Sequence, residues 1–434
     1  MEKLFQLKKH NTNVRTEVIG GLTTFFAMAY IIFVNPNFLS QTGMDHTAVM
    51  LATCVSAAIG CFLTAFMANV PFAQAPGMGL NAFFTCTICF GMGYTWQQGL
   101  AIVFISGLIF LAISISPIRK QIIDSIPAPL KAAISAGIGL FICLIGLLNA
   151  GIVTAGNNLL DLSSITSGPA LLALIGLIIT GILMAWKVKG ALFIGILVTT
   201  VIGIPMGVTN LSNVSISFEG ISIAPTFFKL SFVGLLSKGI LPLLTAIVTF
   251  AMCDCFDTVG TLIGTAGSAG MLDENGNLPR GDKALIADAV ATCTGALMGT
   301  STVTTFVESS TGISEGARTG LSSVVVGILF LLGCVLAPIA GIIPSAATAP
   351  ALIIVGMFMI GNVAKIDWSD VEVALPCFLT IAMMPFAYSI SDGIGFGFIS
   401  YTLIKMARGK FKEVPVLLYI LSALFVVMYI LAAL

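Results

Sequence analysis

Apolar runs long enough to cross a bilayer follow one another along almost the whole chain, separated by short polar connections. A helix needs about 20 apolar residues to span the hydrocarbon core of a membrane. The first half of the chain carries such segments near residues 17–40, 46–69, 77–91, 98–116, 128–149, 168–186 and 190–206. After a polar stretch at 207–237, the second half carries segments near 238–263, 284–300, 302–317, 320–340, 346–362, 369–388 and 391–407. The pattern predicts an all-α polytopic membrane protein of about 14 transmembrane segments, seven in each half.

One further apolar run, 415–434, is left over after this division. Two interpretations fit it. The run is a fifteenth span, or the region 369–407 holds two short helices that together cross the membrane once.

Composition agrees with a membrane protein and excludes several other classes. The chain is 57% hydrophobic and only 9% charged, whereas a soluble globular protein carries about 25% charged residues. Its formal net charge is zero, which gives no indication of a nucleic-acid partner. The two histidines do not lie within the apolar runs: His10 precedes the first run, and His46 stands at the outer end of the second. The sequence therefore predicts no metal site, no histidine-based catalysis and no cofactor.

The positions of the positive charges predict the orientation. If the N-terminus is cytoplasmic, seventeen of the 19 lysines and arginines fall on the cytoplasmic side, and only Lys229 and Lys238 fall outside. Cytoplasmic loops of membrane proteins carry such an excess of Lys and Arg. The sequence thus predicts a multi-pass protein of the cell (cytoplasmic) membrane with a cytoplasmic N-terminus.

The two halves resemble each other in order and at nearly constant offset. "FFAMAYIIF" at 25–33 matches "TFAMCDCFD" at 249–257, and "IPAPLKAAISAGI" at 126–138 matches "IPSAATAPALIIVGM" at 343–357. Because each half has an odd number of spans, the second half is inverted relative to the first. Inverted repeats are typical of transporters, whose two halves rock around a site near the middle of the membrane.

Four carboxylates fall inside the apolar segments, namely Asp254, Asp257, Asp288 and Glu308. A charge at this depth costs about 2.5–3.5 kcal/mol on insertion scales and usually marks a pathway or a site. Asp254 and Asp257 share one face of a helix, and their spacing suits two carboxylates that share a proton. Asp288 lies about one turn from a cytoplasmic end, where a cap-like contact explains it as well as function does.

Three further features receive structural interpretations. Glu315 and Arg318, three residues apart at the inner edge, are predicted to form a surface ion pair. The Gly260–Gly264 spacing predicts close helix packing.

The stretches 72–84 and 301–312 lie in the third segment of each half and are broken by glycine, proline and β-branched residues, so each is predicted to start extended and continue as a half-helix. Glu308 and Ser309 would start the second half-helix, whose unpaired N–H groups would face a substrate.

Three motifs carry a resemblance to a known family: "APGMGLNAFF" at 75–84, "CDCFDTVGTL" at 253–262 and "TSTVTTFVESSTGISEGARTG" at 300–320. Nearly the whole chain resembles the nucleobase–cation symporter-2 (xanthine/uracil permease) superfamily, and within it the AzgA-like adenine/guanine/hypoxanthine permeases. The resemblance implies the uracil-transporter fold, with a core domain of spans 1–4 and 8–11 and a gate domain of spans 5–7 and 12–14. The halves of the core domain would be 1–120 and 238–342, and those of the gate domain 121–237 and 343–434.

The resemblance also implies roles for individual residues. Substrate binding is expected at Asp257, Glu308, Asn81, Ser309 and Thr261, and proton coupling at Asp254, Asp257 and Glu308. Thr261 stands where the uracil branch has a histidine, which favours the purine branch.

The sequence therefore predicts a secondary active transporter that imports guanine, hypoxanthine or adenine across the lipid bilayer by proton symport. One alternative is an anion or other small-molecule transporter of the same architecture, although an anion site would favour positive charge. The other is sodium-coupled transport of xanthine or uracil. A channel and a membrane-embedded hydrolase fit less well, so no enzymatic activity is predicted. The sequence leaves open the preferred purine, the coupling ion and the oligomeric state, including a homodimer.

Overall fold

The structure is a computed structural model that describes residues 2–116, 126–156, 159–166, 168–211, 221–273, 278–340 and 342–433. Arg119 and Lys120, which the charge pattern puts on the cytoplasmic side, lie outside the described residues, as does the predicted boundary at 120/121. Within the described residues, seven helices are long and apolar enough to span a membrane, and shorter apolar helices occupy other predicted segments. The chain is a mostly helical multi-pass membrane protein, as predicted.

The elements of the first half follow the predicted segments, after one helical turn at Glu2–Phe5. They are α1 (Val14–Met28), α2 (Ile31–Leu39), α3 (His46–Leu63), β1 (Gln74–Pro76), α4 (Met78–Ala82), α5 (Trp96–Ile115), α6 (Ala128–Asn149), β2 (Val153–Gly156), β3 (Leu159–Leu162), α7 (Gly168–Ala185) and α8 (Ala191–Gly203). Wider π-helical turns extend α3 over Thr64–Ala68 and α4 over Phe83–Gly91.

The second half repeats this order. Its elements are α9 (Ile240–Ser268), α10 (Gly281–Met298), β4 (Val303–Thr305), α11 (Ser309–Ser314), α12 (Gly320–Gly333), α13 (Ser345–Ile360), α14 (Val371–Phe386), α15 (Ile390–Ala407) and α16 (Val416–Ala433). A 3₁₀ turn at Cys334–Leu336 and a helical turn at Ala337–Ala340 follow α12. Shorter 3₁₀ helices lie at Leu235–Lys238, Gly361–Lys365 and Phe411–Glu413.

Helix starts follow local sequence signals. The side chain of Asn13 caps α1 and that of Asp45 caps α3, each accepting a backbone N–H in the first turn. Thr95 and Gln98 form a capping box at the start of α5. One break had no such signal: the first predicted segment is interrupted at Ala29 and Tyr30, between α1 and α2.

The predicted extended pieces are present and pair with each other. β1 and β4 form an antiparallel ladder in which Gln74 lies opposite Thr305 and Pro76 opposite Val303. The ladder joins the third segment of one half to the third segment of the other. Both strands are fully buried, which is the condition under which non-helical backbone is tolerated at membrane depth.

The remaining helices form two sets, and helices of the first set contact this ladder. In the first, α3 packs against α12, and α5 packs against α10 in the corresponding positions of the other half. In the second set, α6 packs against α13, while α7–α8 and α14–α15 form corresponding hairpins. These sets contain the spans assigned above to the core and gate domains, and the residue boundaries between those domains stay a prediction.

The C-terminal region resolves one of the two alternatives. Glu372, at the start of α14, forms ion pairs with Lys405, Arg408 and Lys410, at or just after the end of α15, at 3.0, 2.9 and 2.8 Å. The two helices are therefore antiparallel and begin and end on the same side. The interpretation that 369–407 crosses the membrane once is wrong, and α16 is an additional apolar helix that runs antiparallel to α15.

The predicted Glu315–Arg318 ion pair is not formed. Glu315 instead pairs with Lys189, with 2.8 Å between Oε1 and Nζ. Arg318 donates to the backbone carbonyls of Ile313 and Ala317, because the tight turn after α11 leaves those groups within reach. The Lys189–Glu315 contact joins two loops that the charge pattern places on the same, cytoplasmic side.

Candidate functional site

The two strands β1 and β4 are buried side by side, and a short helix follows each of them. Gly77 donates its N–H to Thr302 and Phe306 donates to Ala73, both at 3.0 Å, which extends the ladder at its ends. α4 begins directly after β1, and α11 begins shortly after β4. Gly77 is required by close approach, since a Cβ there would lie 2.5 Å from Cγ2 of Thr304.

Asp288 ties the ladder to the neighbouring helices. Its carboxylate accepts hydrogen bonds from Gln74 Nε2 at 3.1 Å, Thr305 Oγ1 at 2.7 Å and Thr258 Oγ1 at 2.9 Å. The donors come from β1, β4 and α9, and the Asp288 side chain is fully buried. Of the two interpretations that the sequence allowed, this arrangement favours a structural contact, but one at the centre of the site and not at a helix end.

Asp254 is also buried, at 2% exposure, but has fewer partners. Thr292 Oγ1 lies 2.8 Å from Asp254 Oδ2 and 2.8 Å from the carbonyl oxygen of Val303. Asp254 Oδ1 has no hydrogen-bond partner among the described residues. This carboxyl group is therefore under-satisfied, in contrast to Asp288.

Asp257 and Glu308 are the two carboxylates of the site that keep exposed surface. Asp257 is exposed although it lies within a membrane-spanning helix, and Glu308 is partly exposed at the start of α11. Oε1 of Glu308 accepts a hydrogen bond of 2.9 Å from the hydroxyl of Tyr30. Among the ion pairs between described residues, none includes Asp254, Asp257, Asp288 or Glu308.

The open space continues along one face of α9. Gly260, Gly264 and Gly267 are exposed, and a Cβ at Gly260 or Gly264 would have no neighbour within 4 Å. The prediction that Gly260 and Gly264 allow close helix packing is therefore wrong, because no atom of the described residues approaches either position closely. A cavity of about 270 Å³ lies near the end of α9, lined by Thr265, Ala269, Ser310, Ile313, Ser314 and Arg318.

The other expected substrate residues lie in different environments. Thr261 is partly buried and neighbours the open face of α9. Ser309 is fully buried, and its hydroxyl accepts a 3.0 Å hydrogen bond from the N–H of Ala73. The structure thus places Thr261 one helical turn from Asp257 on α9, whereas Ser309 connects α11 to the chain before β1.

Asn81 is fully buried in a second polar network, apart from Asp257 and Glu308. Its amide donates to Asn35 Oδ1 at 2.7 Å, and its carbonyl oxygen accepts from Ser301. Asn35 in turn donates to Thr53 and Thr300. In this conformation Asn81 joins α2, α3 and the residues before β4, and its side chain does not face the open space.

The half-helix N–H groups differ from the prediction at α11. Ser309, Ser310 and Thr311 donate their N–H groups to the carbonyls of Phe306, Val307 and Glu308. The turn between β4 and α11 is tight enough to satisfy these donors internally. The prediction of unpaired N–H groups is therefore wrong for Ser309, Ser310 and Thr311.

Sequence reasoning missed two members of the site. Tyr30 could have been found from the internal repeat, because "FFAMAYIIF" aligns Tyr30 with Asp254 of "TFAMCDCFD". Gln74 lies inside the stretch 72–84 that was predicted to start extended, but its bond to Asp288 depends on tertiary packing that no local pattern reports.

Comparisons with known proteins agree with this architecture. The profile of a family described as "Permease family", of the xanthine/uracil permease type, matches residues 15–396. The chain is 45% identical to the guanine/hypoxanthine permease PbuG of Bacillus subtilis over 440 residues, which cover 99% of each protein. It is 41% identical to the adenine permease AdeP of Escherichia coli, covering 98% of this chain and 95% of AdeP.

A solved structure shows a similar fold at low sequence identity. The transmembrane domain of the cyanobacterial bicarbonate transporter BicA superposes with a TM-score of 0.68 at 17% identity, covering 88% of this chain and 97% of that domain. This likeness concerns the fold alone. The profile match and the identities to whole permeases show that the chain belongs to the nucleobase–cation symporter-2 family of membrane permeases and is a transporter, not an enzyme.

Proposed function

We propose that this permease imports purine nucleobases, in particular guanine, hypoxanthine or adenine, across the cell membrane together with protons. The observation that carries the proposal is that Asp257 and Glu308, from two different elements within the membrane-spanning region, both keep exposed surface without a cationic partner among the described residues. The relatives named as guanine/hypoxanthine and adenine permeases supply the substrate class.

The chemistry of the site suits a purine. Purine bases carry N–H donors on their edges, and carboxylate oxygens accept hydrogen bonds from such donors strongly. A donor facing an acceptor in a water-poor site contributes to selectivity, because a ligand without the donor leaves the carboxylate unsatisfied. Asp257 and Glu308 are the proposed substrate ligands, with Thr261 beside them, and Asn81 and Ser309 hold the surrounding backbone in this conformation.

Hydrogen counting at Asp254 supports a role in proton coupling. The Thr292 hydroxyl has one hydrogen but two acceptors at 2.8 Å, Asp254 Oδ2 and the Val303 carbonyl. If Asp254 carries a proton on Oδ2, it donates to Thr292, and Thr292 donates to Val303, so that the Thr292 hydroxyl and the Val303 carbonyl each have a donor. If Asp254 is ionised, one acceptor loses its donor inside the protein. The protonation state of Asp254 therefore affects the hydrogen bond that Thr292 donates to Val303 in β4. Glu308 follows this strand by three residues.

The open face of α9 supports an orientation. It runs from Asp257 toward the end of α9 at Ser268, where the charge pattern predicts the cytoplasm. The structure would then represent a state in which the site is open to the cytoplasm. If the end of α9 is cytoplasmic, the order of the spans puts the N-terminus on the cytoplasmic side as well.

Transport assays test substrate and coupling ion together. The permease is expressed in a host without nucleobase transporters, and uptake of labelled adenine, guanine, hypoxanthine, xanthine and uracil is measured. We expect purine accumulation driven by an inside-alkaline pH gradient and insensitive to a sodium gradient. Uptake driven only by sodium would exclude proton symport, and transport of an inorganic anion without any nucleobase would exclude the substrate class.

A further inference from the structure

The break in the first transmembrane segment places a tyrosine against the proposed substrate carboxylate. Tyr30 lies between α1 and α2 and is 2% exposed, so its phenol is enclosed by protein. Its hydroxyl donates to Oε1 of Glu308 across a sequence separation of 278 residues. Nothing in the sequence motifs assigns a role to this residue.

The hydrogen bond makes the two oxygens of Glu308 unequal. Oε1 is turned toward a buried phenol, whereas the side chain as a whole remains partly exposed. Oε1 thus already accepts one hydrogen bond, whereas no side chain among the described residues donates to Oε2. A freely rotating carboxylate would offer both oxygens side by side, in the geometry that accepts two parallel N–H donors.

We propose that Tyr30 determines substrate selectivity by restricting Glu308 to one substrate-facing oxygen. This inference rests on the proposed purine transport. Because the phenol fixes the orientation of Oε1 and takes one of its lone pairs, Glu308 accepts one N–H from the base through Oε2 and gains less from a second donor on the same edge than a free carboxylate would. Tyr30 is thus a positioning residue that acts on the substrate through Glu308.

Guanine and hypoxanthine form the pair of ligands that isolates this effect. They share the purine ring, the N1–H donor and the O6 acceptor, and differ only by the 2-amino group of guanine. The N1–H and 2-amino donors of guanine lie on one edge and match a carboxylate that offers both oxygens. A site with a restricted Glu308 should therefore distinguish the two bases weakly.

The experiment measures competition of unlabelled guanine and hypoxanthine against labelled hypoxanthine in the unsubstituted permease and in Tyr30→Phe. In the unsubstituted permease, the two apparent affinities should agree within about threefold, since the second donor adds little. Tyr30→Phe keeps the ring but frees Oε1, so the affinity ratio of guanine to hypoxanthine should rise by about tenfold, as one added hydrogen bond to a charged group would give.

Tyr94→Phe is the matched control. Tyr94 is also buried, at 3% exposure, and its hydroxyl donates to a backbone carbonyl, that of Leu235, at 3.2 Å. This substitution removes a comparable hydrogen bond away from Glu308 and should leave the ratio unchanged.

The outcomes separate the inference from the proposed function. If both bases lose affinity equally in Tyr30→Phe, or if neither changes, Tyr30 only fills space and the inference is overturned. A strong preference for guanine in the unsubstituted permease overturns it as well, even if Tyr30→Phe does not fold. If the unsubstituted permease binds no purine at all, the proposed function fails first and the inference fails with it.

Discussion

Asp254 and Asp257 lie three residues apart on α9, yet Asp254 is 2% exposed and hydrogen-bonded to Thr292, whereas Asp257 faces open space. The two carboxyl groups thus lie in different environments in this conformation. Asp257 is exposed, and Asp254 contacts Thr292, which also donates to Val303 of β4. This division leads to different expectations for the two asparagine variants.

Asp257→Asn should abolish measurable purine binding, because the substituted amide replaces a charged acceptor with a partial donor. Asp254→Asn should retain some binding, because the new amide can donate to Thr292 as a protonated carboxyl would. It should nevertheless fail to accumulate purine against a gradient, since the amide cannot release a proton. Reconstituted variants are compared for counterflow and for uptake driven by an inside-alkaline pH gradient.

Counterflow is the internal control in that experiment, since it needs no net driving force. Persistence of pH-driven accumulation in Asp254→Asn would show that the coupling proton resides elsewhere. Asp288 or Glu308 would then be the next groups to substitute.

Glu308→Gln tests the second proposed ligand. The substitution preserves shape but replaces one acceptor oxygen with a donor, and a donor facing a purine N–H leaves a buried group unsatisfied at a cost of about 1–3 kcal/mol. Apparent purine affinity should fall about tenfold or more, measured by competition in membranes that contain normal amounts of the protein. Unchanged affinity would indicate that Glu308 serves only to anchor Tyr30.

The open face of α9 can be examined by thiol labelling. Gly260→Cys and Gly264→Cys should each be accommodated without a clash, since a Cβ at either position has no neighbour within 4 Å. A membrane-impermeant maleimide should label both from the cytoplasmic side, and bound purine should slow labelling at position 260. The unsubstituted protein, whose native cysteines are mostly buried, gives the background. Labelling only from outside would reverse the proposed orientation.

Reporter fusions test the same orientation independently. A reporter placed in the 150–167 connection should be external, and one placed at 270–282 should be cytoplasmic, because an odd number of spans separates them. Alkaline phosphatase and a fluorescent protein give opposite signals on the two sides. Both fusions on one side would contradict the inverted repeat.

Glu17 is expected to be important for stability and not for binding. It is fully buried and accepts N–H bonds from Arg318, Thr319 and Ser322, where it caps α12 from α1. Glu17→Ala leaves these donors without a partner and should cost at least about 2 kcal/mol, measured as a lower midpoint of thermal unfolding in detergent. Glu315→Gln is the control, because its ion pair with Lys189 is exposed and contributes about 0–1 kcal/mol.

Local patterns predicted much of the architecture. Apolar runs located the spans, and the glycine, proline and β-branched residues of 72–84 and 301–312 predicted the two extended pieces that form β1 and β4. These features depend on properties of neighbouring residues, such as backbone freedom and hydropathy, which the sequence displays directly.

The partners of the polar side chains were predicted less well. Gly260 and Gly264 have a spacing that occurs both at close helix contacts and along open faces, and only the position of the other helices distinguishes the two. The same holds for Asp288 and Tyr30, whose hydrogen-bond partners are more than ten residues away in sequence. Asp257 and Glu308 were identified through motif resemblance, and their purine-binding role stays a prediction.

The antiparallel pairing of β1 with β4 also constrains how the protein is made. Gln74 and Thr305 lie 231 residues apart, so the ribosome releases β1 long before its partner strand is synthesised. During that interval the backbone groups of β1 have no strand partner, and hydrocarbon offers them no substitute. Closing so long a loop makes the ladder a late step in assembly. A nascent chain stopped before residue 303 should therefore insert its helices but remain an incompletely assembled substrate for membrane proteases.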